Sequence, residues 1–477
     1  MKQRSETLFG CEQVFLKEFF KSYTDDVDEE KLFSTLQQYR SQMDVDISTV
    51  DFNDMDKWRY TAKGDIVHES GKFFRICGGK ATNNKAGTIS YQPVIDQPEQ
   101  GILGIISRTN KDKIELLLQA KIEPGNLDSV QYSPTVQATR SNYTGAHKGK
   151  GVAFIESFIE ESEKIKSRGF QSEHGYKFYK KANDNVHVHD EEIRCLDDKF
   201  AWLKLCDIKH LLAKEHCINM DTRSVLATID FIGRSLSHKE IYENFVSTLS
   251  EIELGLLCSS LSDEGALHSS DEIYSWLRTS KQNKNIEQEM VPLKALYEAG
   301  WSISNNRLFN ENNKNFELVG IKAQIGSREV SSWYQPIVRD NIPKVYAFLL
   351  KKFGDTYHIL VQMVEEDFGW DGPELGPSIH SVDSETLCLN EQMNLFNINE
   401  KHVKIIYDRF QSEEGGRFME QKNRYILIHV DDDVDVEVDD NFKWATLYQL
   451  KKMSAFECSV NIEARTLLAI ASYYKDK

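Results

Sequence analysis

The chain has 477 residues, of which 40% are hydrophobic and 28% are charged, and its formal net charge at pH 7 is −17. This length allows roughly two to four domains with sizeable cores, and the excess of carboxylates argues against a broad nucleic-acid surface, although a small anion could still bind locally. Apolar runs stay below the roughly 18 residues of a membrane span, and the polar start MKQRSETLFGCEQVF is unlike a signal peptide. The eight cysteines form no CxxC pair, so neither a zinc site nor a disulfide framework is indicated. These features predict a reduced, cytoplasmic protein that binds no membrane and no nucleic acid.

In the first half, KFFRICGGKA (72–81) predicts a strand, and ILGIISRTNKDKIELLLQAKI predicts a β-hairpin whose turn is Thr109–Asp112. VAFIESFIEESEKI then predicts a helix, and a second helix carries an apolar face from Leu205 to Leu212. Asp221 or Thr222 is placed to cap the helix that closes this half.

The second half of the chain repeats the first. SYQPVI recurs as WYQPIV, where Gln92 and Gln335 are 335 − 92 = 243 positions apart, and LLLQAKIE recurs as ILVQMVEE at the same offset, 362 − 119 = 243. FQSEHGYKF likewise recurs as FQSEEGGRF, and INMDTRSVLA as VNIEARTLLA. So many matches in one order indicate the tandem duplication of a whole domain rather than a short solenoid repeat.

The strands come in hairpins with few helices between them, which predicts an α+β (mixed α/β) fold with antiparallel or mixed sheets. We expect a first repeat over residues 1–234, including a helical N-terminal segment. A helical connector follows over 235–290, and a second repeat occupies 291–477.

Two polar segments of the first repeat predict a ligand pocket. In QAKIEPGN, the side chains of Gln119, Lys121 and Glu123 share one strand face. SPTVQATRSNYTGAHKG (133–149) crowds hydroxyls and amides together, and these groups cost free energy if they are buried unpaired. A solvated strand edge is the alternative, but solvated faces rarely need Gln, Thr and Asn in place of Lys and Glu. A pocket lined by both segments is therefore the better interpretation.

The second half has partly replaced this polar set. Val364 and His380 stand where the first half has Lys121 and Gln137, so we expect the first repeat to be catalytic and the second to be degenerate. The second half nevertheless keeps SEEGGRF, in which Arg417 could still hold an anion.

Motifs for metals and cofactors are weak or missing in the sequence. His187 and His189 in NVHVHD share a strand face but have no third ligand nearby, and DDDVDVEVDD is typical of a solvated loop. The chain contains no GxGxxG opening a βα unit, no GxxxxGK[ST] and no GxSxG. We therefore expect no metal and no cofactor.

In their order, HESGKFF, YQPVIDQPEQGILG, QAKIEPGN, SPTVQATRSNY, QSEHG and NMDTR resemble the NDP-hexose 2,3-dehydratases of deoxysugar biosynthesis. REVSSWYQP, QSEEGGRF and NRYILIHV resemble that family's second repeat, so the resemblance covers roughly residues 50–475. It implies two Nudix-like domains per subunit in a homodimer, without Nudix metal chemistry, and the chain indeed lacks a G-x5-E-x7-R-E-x2-E-E-x-G box. The chain departs from the pattern at Ser90 and in lacking a second EPGN and PTVQ, which bears on ligand binding by the second half.

The resemblance implies a substrate, dTDP-4-keto-6-deoxy-D-glucose, and a reaction. The ketone at carbon 4 acidifies the hydrogen on carbon 3, and loss of the 2-hydroxyl from the resulting enolate gives an enol, which tautomerises to a dTDP-3,4-diketo-2,6-dideoxyhexose. This elimination requires no redox cofactor, and a downstream 3-ketoreductase or aminotransferase is the expected partner in the pathway. The alternatives are a Nudix-type NDP-sugar hydrolase and a non-catalytic protein that binds sugar nucleotides.

The reaction needs a base, an acid and donors to the enolate oxygen. We predict Lys121 and Glu123 as the catalytic pair, with Lys121 stabilising the enolate, and His147 and Glu173 as rival proton carriers. The residues expected to bind the sugar nucleotide are Gln92, Gln119, Asn126, Thr135, Gln137, Arg140, Ser141, Asn142, Tyr143, Lys177 and Lys180. The residues expected to line a second-repeat pocket are Trp333, Gln335, Gln362, Ser412, Glu413 and Arg417.

Overall fold

The computed structural model describes residues 15–127, 130–140, 151–160, 162–195, 197–245, 248–304, 306–312, 315–326, 331–340, 342–384 and 389–476. Within these ranges the chain forms two matching sets of strands, β1–β12 and β13–β24, together with helices α1–α11. The architecture is therefore mixed α/β. No helix in this part of the chain is both long and apolar enough to span a bilayer.

The strands of the first set are β1 Val45–Val50, β2 Trp58–Tyr60, β3 Ile66–His68, β4 Arg75–Asn83, β5 Thr88–Asp96, β6 Gly101–Thr109, β7 Ile114–Ile122, β8 Val130–Ser133, β9 Val136–Thr139, β10 Ile165–Ser172, β11 Ala182–His189 and β12 Phe200–Lys204. The strands of the second set are β13 Ile286–Val291, β14 Trp301–Ser304, β15 Arg307–Asn310, β16 Phe316–Ile325, β17 Ser332–Asp340, β18 Lys344–Phe353, β19 Thr356–Val364, β20 Glu374–Pro377, β21 Ile379–Asp383, β22 Val403–Ser412, β23 Lys422–Val430 and β24 Phe442–Ala445.

The helices are α1 over residues 15–24, α2 Glu29–Ser41, α3 Glu156–Ile159, α4 Leu205–Leu212, α5 Met220–Thr228, α6 His238–Phe245, α7 Glu251–Leu261, α8 Ser270–Gln282, α9 Leu389–Asn394, α10 Leu447–Met453 and α11 Ile462–Ser472. Short 3-10 helices lie at Phe52–Asp54, Leu293–Ala299 and Glu400–His402.

Each repeat contains a seven-stranded mixed sheet with the same strand order. In the first repeat the order is β10-β11-β6-β7-β12, with β8 on β7 and β9 on β6; in the second it is β22-β23-β18-β19-β24, with β20 on β19 and β21 on β18. Both sheets contain one parallel pair, β6 with β11 and β18 with β23, among antiparallel neighbours. The repeats found in the sequence therefore correspond to repeated sheets.

The two repeats exchange their first strands. β1 pairs antiparallel with β16 of the second repeat, with Val45 opposite Ile325. In the same way, β13 pairs antiparallel with β4 of the first repeat, with Ile286 opposite Asn83. Because β13 follows α6, α7 and α8, the segment predicted as a connector ends in a strand that completes a sheet of the first repeat.

The repeats also exchange a loop, which we call the QSE loop: residues 172–181 in the first repeat and 412–421 in the second. The second QSE loop reaches the first repeat, where the Gly125 amide donates to the Gly415 carbonyl at 2.7 Å. The first QSE loop reaches the second repeat, where the Phe368 amide donates to the Gly175 carbonyl at 2.8 Å. Glycine is required at position 125, since a Cβ there would lie 1.8 Å from the Phe418 carbonyl oxygen.

Two wholly buried arginines anchor the exchanged loops. Arg223 of α5 donates to the backbone carbonyl of Ser412, and Arg465 of α11 donates to that of Ser172. The Arg465 guanidinium also donates to Ser224 Oγ at 2.9 Å, which ties α5 to α11. Each arginine thus holds the loop of the other repeat.

Several predicted elements are confirmed and others are wrong. The hairpin is β6–β7, with Asn110 and Lys113 closing its turn at 2.7 and 3.1 Å. The helix predicted from VAFIESFIEESEKI is confined to the single turn α3, because the left-handed backbone at Phe154 (φ 62°) precedes it and Glu160 is already extended. Asn219 caps α5 in place of Asp221 or Thr222, accepting from the Thr222 amide at 2.9 Å.

Replacing Arg223 with Met should lower the free energy of unfolding by about 3 kcal/mol, because buried carbonyls of both repeats lose a charged donor. Denaturant unfolding followed by circular dichroism would measure this change. The exposed Arg278 provides the matched control, Arg278→Met, which should stay within about 0.5 kcal/mol of the parent. An equally small change for Arg223→Met would contradict the anchoring role.

Candidate active site

Lys121 and Glu123 form an ion pair where β7 leaves the sheet. The Lys121 Nζ lies 3.0 Å from Glu123 Oε1, and the two side chains are only 14% and 6% exposed. The side-chain amide of Gln137, on β9, donates to the same carboxylate oxygen at 3.3 Å. Asn219 Nδ2 donates in turn to Gln137 Oε1 at 3.3 Å. The two polar segments predicted from the sequence therefore meet at Glu123.

Glu123 interacts electrostatically with three further carboxyl groups, and we call the four the acidic cluster: the buried Glu123, Glu173 and Asp221 and the half-buried Glu414. Burial raises the pKa of Asp221 well above its ordinary value, and the charges of Glu173, Glu414 and Glu123 raise it further. Burial likewise raises the pKa of Glu414 to about 7, with Glu173 and Glu123 contributing and Arg417 opposing. A carboxyl group with such a pKa can exchange a proton near neutral pH.

The QSE loops supply much of this cluster. Glu173 and Lys181 come from the loop of the first repeat, and Asn183 Nδ2 donates to Glu173 Oε1 at 2.5 Å. Glu414 and Arg417 come from the loop of the second repeat, and Arg417 donates to Gln97 Oε1 at 3.1 Å. The acidic cluster is therefore built from both repeats.

Some residues predicted to bind the sugar nucleotide form hydrogen bonds with backbone groups, or an ion pair, instead of lining the cluster. Gln119 donates to the Pro134 carbonyl at 2.9 Å, and Thr135 Oγ1 accepts from the Ile106 amide at 3.0 Å. Gln92 donates to the Tyr176 carbonyl. The buried Lys177 pairs with Asp340 of the second repeat at 2.5 Å.

The remaining first-repeat predictions lie at the margin or outside the described part of the chain. Asn126 Nδ2 donates to the backbone carbonyl of Lys121 at 3.4 Å, beside the cluster. Arg140 is exposed at the end of β9, and the exposed Lys180 has its Nζ 5.7 Å from the Tyr179 ring. Ser141, Asn142, Tyr143 and His147 lie outside the residues that the structure describes.

The residues predicted for a second-repeat pocket divide between the two repeats. Gln362 donates to the Pro377 carbonyl at 2.7 Å and Trp333 to Gln335 Oε1 at 2.9 Å, so these side chains stay within the second repeat. Ser412 Oγ instead accepts from Gln131 of the first repeat at 2.7 Å. The Arg417 guanidinium acts on the acidic cluster of the first repeat, where it opposes the rise in the pKa of Glu414, because the loop that carries both residues reaches that repeat.

At the equivalent place in the second repeat, a histidine pairs with two buried carboxylates. His174, which occupies the position of Glu414 in the other loop, lies 3.0 Å from both Glu413 and Glu463. Burial opposes protonation of His174, but its hydrogen bonds to these two carboxylates prevail and raise its pKa well above the ordinary value. Glu413 remains within the second repeat and also accepts from Tyr425 at 2.9 Å.

Among the residues that the structure describes, two groups of side chains have a geometry that could hold a metal ion. Glu366, His380 and Glu463 offer ligand atoms within 4.8 Å of one another, as do His402, Asp431 and Asp433. The predicted pair His187 and His189 instead flanks one hydroxyl, Ser107 Oγ, at 2.7 and 2.9 Å. Burial lowers the pKa of His187 to about 3, which fits an ordinary structural histidine.

Two surface clefts lie away from the predicted catalytic pair. One of about 460 Å³ lies between α2 and residues 215–217, and one of about 240 Å³ lies at the junction of the repeats. Neither is lined by Lys121, Glu123 or the other predicted site residues. The acidic cluster is therefore recognised by its chemistry and not by the size of an open cavity.

Sequence reasoning missed Lys181, Glu414 and Asn219 as site residues and treated Asp221 only as a helix cap. A signal was present for two of them, since Lys181 and Glu414 belong to the loop that both halves retain. The sequence did not reveal that this loop is exchanged between the repeats.

Carboxyl groups with raised pKa values beside lysine and arginine, on a duplicated mixed α/β scaffold, are typical of an enzyme site that transfers protons. A family model described as NDP-hexose 2,3-dehydratase matches residues 29–229 and again 270–471. The chain belongs to this family of enzymes, as the sequence motifs predicted.

Curated relatives agree with the family match. A protein of Amycolatopsis orientalis is 33% identical over 435 residues, 89% of this chain and 86% of its own, and its name is dTDP-4-dehydro-6-deoxy-alpha-D-glucopyranose 2,3-dehydratase. Proteins of the same name from Saccharopolyspora spinosa and Streptomyces violaceoruber are each 32% identical, over 88% and 89% of this chain. Among solved structures, a C. elegans Ap4A hydrolase covers 24% of this chain at 16% identity, and its TM-score of 0.18 is too low to assign a fold.

Replacing Glu374 with Gln should flatten the dependence of stability on pH. Burial raises the pKa of this carboxyl from 4.5 to about 7 in the folded protein. The contribution of Glu374 to stability is therefore fully present below pH 4.5 and is lost as the pH rises through about 7, because only the unfolded chain ionises easily at that position. Ser172 Oγ donates to Glu374, and at the equivalent position of the first repeat Gln131 donates to Ser412 Oγ. A glutamine should therefore fit at position 374.

The loss should be roughly 3 kcal/mol between pH 4.5 and pH 8, and Glu374→Gln should remove it. Urea unfolding at several pH values would measure this. Glu243→Gln, at a side chain 63% exposed, is the matched control. Parallel pH profiles for Glu374→Gln and the parent would show that Glu374 does not titrate as described.

Proposed function

We propose that this protein is a dTDP-4-keto-6-deoxy-D-glucose 2,3-dehydratase that removes the hydrogen of carbon 3 and expels the 2-hydroxyl. The observation that carries the proposal is the ion pair of Lys121 and Glu123 inside the acidic cluster. Membership of the NDP-hexose 2,3-dehydratase family supports the reaction, and the names of the relatives support the dTDP-linked 4-keto sugar. The product would be a dTDP-3,4-diketo-2,6-dideoxyhexose.

Lys121 and Glu123 have complementary roles in this proposal. Loss of the carbon 3 proton places negative charge on the oxygen at carbon 4, and a fixed ammonium close to that oxygen stabilises the enolate. Glu123, held between Lys121 and Gln137, is positioned as the base that removes the proton. Because both side chains are almost fully buried, their charges act with little screening by water.

Glu414 is the best candidate for the acid that helps the 2-hydroxyl leave. Its pKa of about 7 keeps a substantial protonated fraction at neutral pH, so it can deliver a proton to the departing oxygen. Glu173 stays in the proposal as a rival proton carrier, since its charge acts on both Glu414 and Asp221. This assignment makes the elimination a joint task of the two repeats.

The diphosphate of the substrate requires cations; two candidates act on the acidic cluster, and a third lies at the end of β9. Arg417 carries a fixed positive charge, and Lys181 is a buried amine whose pKa is lowered by its burial. Arg140 is exposed at the end of β9, beside the segment 141–150. We propose that Arg417 and Arg140 bind the diphosphate, because guanidinium groups suit paired phosphate oxygens.

Other features of the resemblance remain part of the proposal. A Nudix-like core in each repeat is compatible with the mixed sheet order and its single parallel pair. The homodimer, the cytoplasmic location, the absence of a metal and a downstream 3-ketoreductase or aminotransferase follow from the resemblance and the composition. The second repeat, where His174 pairs with two carboxylates of the counterpart cluster, is proposed to be inactive.

Incubating the purified protein with dTDP-4-keto-6-deoxy-D-glucose and following the sugar nucleotide by mass spectrometry tests this function. Loss of one water from the sugar nucleotide is the expected result, and deuterium on carbon 3 of the substrate should slow it. A magnesium-dependent release of dTMP and sugar phosphate would identify a hydrolase instead. Binding without conversion would indicate a non-catalytic sugar-nucleotide protein.

Replacing Lys121 with Ala should reduce kcat by about 100- to 1,000-fold, because the enolate loses its charged donor. The rate of water loss from the substrate measures this change. Lys239→Ala, at a side chain 82% exposed, is the matched control and should keep the parental rate. A parental rate for Lys121→Ala would exclude the proposed role.

Replacing Glu414 with Gln should lower kcat by about 100- to 10,000-fold, because glutamine cannot donate the proton. In the parent, kcat should fall as the pH rises through about 7, since the acid form of Glu414 is then lost. The variant should lack this fall, and Glu298→Gln on an exposed surface should retain it. Identical pH profiles for the parent and Glu414→Gln would assign the acid to another residue.

A further inference from the structure

Asn219, the residue that caps α5, has a backbone that is fixed on both sides. Its backbone amide donates to the Tyr132 carbonyl of β8 at 3.0 Å, and its own carbonyl accepts from the Arg223 amide at 3.2 Å. The residue as a whole is only 3% exposed. The Asn219 side chain therefore extends towards Gln137 from a rigid position between a strand and a helix.

The capping contacts decide which way the side-chain amide of Asn219 faces. Its Oδ1 accepts from the backbone amide of Thr222 at 2.9 Å and from the Thr222 hydroxyl at 2.8 Å. A backbone N–H always donates, so the atom that faces it must be the amide oxygen and not the nitrogen. The other atom of the amide, Nδ2, is then the donor that faces Gln137.

This orientation passes from Asn219 through Gln137 to Glu123. Asn219 Nδ2 donates to Gln137 Oε1 at 3.3 Å, which leaves Gln137 Nε2 to donate to Glu123 Oε1, also at 3.3 Å. If the Gln137 amide turned over, its nitrogen would face the Asn219 nitrogen and its oxygen would face a carboxylate. Both of these contacts are repulsive, so the cap of α5 fixes the donor that Glu123 receives.

The second repeat contains the same capping residue without the lysine. Asn461 caps α11 by accepting from the Ala464 amide at 2.9 Å, and its Nδ2 lies 3.3 Å from His380 Nε2. Val364 stands where the first repeat has Lys121. The capping asparagine thus belongs to the fold of both repeats, whereas in the first repeat it also leads to a carboxylate that is paired with a lysine.

We propose that Asn219 is a positioning residue for the elimination, because by orienting Gln137 it keeps a hydrogen bond on Glu123 and fixes the direction of that carboxylate. The inference rests on the proposed function, in which Glu123 is the base. A hydrogen bond to a carboxylate favours the ionised form, which is the form that removes a proton. A carboxylate held by two donors, Lys121 and Gln137, also keeps one orientation towards the reacting atoms.

Other charges also act on Glu123, and they come from three different elements. Lys121 of β7, Asp221 of α5 and Glu414 of the second QSE loop interact with it directly. Glu173 of the first QSE loop acts on both Asp221 and Glu414. Exchanging Asn219 for serine leaves all of these groups in place, so a change in the pH dependence of catalysis would report on the hydrogen bonds through Gln137.

Asn219→Ser, which keeps a capping oxygen but has no amide, tests this role. With dTDP-4-keto-6-deoxy-D-glucose, kcat for water loss should fall about 10-fold, as expected when a charged group loses one hydrogen bond, while KM should change little. On the acid side of the pH profile, kcat should begin to fall at a higher pH than in the parent, because ionised Glu123 has lost a donor. Asn219→Asp, which caps equally well but cannot donate, should lower kcat further, since Gln137 would then turn its oxygen towards Glu123.

Asn461→Ser and Asn461→Asp are the matched controls, because they make the same changes at the cap of α11 and should keep the parental kcat. All four variants should melt close to the parent, since serine, aspartate and asparagine cap helices about equally well. A parental kcat for Asn219→Ser, an equal fall for Asn461→Ser, or a fall without a shift of the pH profile would overturn the positioning role in an active parent. A parent that removes no water from the substrate would overturn the proposed function and this role with it.

Discussion

The rest of this structure depends on two buried arginines that each hold a loop of the opposite repeat. Arg223 and Arg465 donate to the backbone carbonyls of Ser412 and Ser172, deep in a core that contains the closing helices of both repeats. Burying a guanidinium is costly unless its donors are satisfied, so the arrangement is stable only while both loops are in place. The exchanged strands β1 and β13 add to the same constraint, because neither repeat can complete its sheets alone.

The exchange of loops decides the chemistry of each repeat. In the first repeat it brings Glu414 towards Glu123 and Glu173; burial raises the pKa of Glu414 to about 7, and the charges of Glu173 and Glu123 add to this effect. In the second repeat it brings His174 between Glu413 and Glu463, where the histidine lies 3.0 Å from each carboxylate. One residue difference in a shared loop therefore gives the second repeat a histidine that pairs with two carboxylates, where the first repeat has a further carboxyl group.

Local patterns in the sequence were reliable where the neighbouring residues decide the structure. Strand alternation placed Lys121 and Glu123 on one face, and the structure brings them to 3.0 Å. Local patterns failed where distant contacts decide: the apolar residues of VAFIESFIEESEKI suit a helix, yet Ile155 and Phe158 pack under the sheet and the chain is extended again at Glu160. Arg417 was expected in a pocket of the second repeat, and only the exchanged loop carries it to the first.

The sequence by itself determined the duplication, the mixed α/β class, the family and the pairing of Lys121 with Glu123, because each of these is encoded in residues close together or in blocks repeated at a constant offset. Only the tertiary structure decided which loop serves which site, since the contact of Glu414 with the first repeat joins residues about 290 positions apart in the chain (414 − 123 = 291). Burial, which sets the pKa values of the acidic cluster, is likewise a property of the folded protein, because it depends on atoms from several distant segments at once.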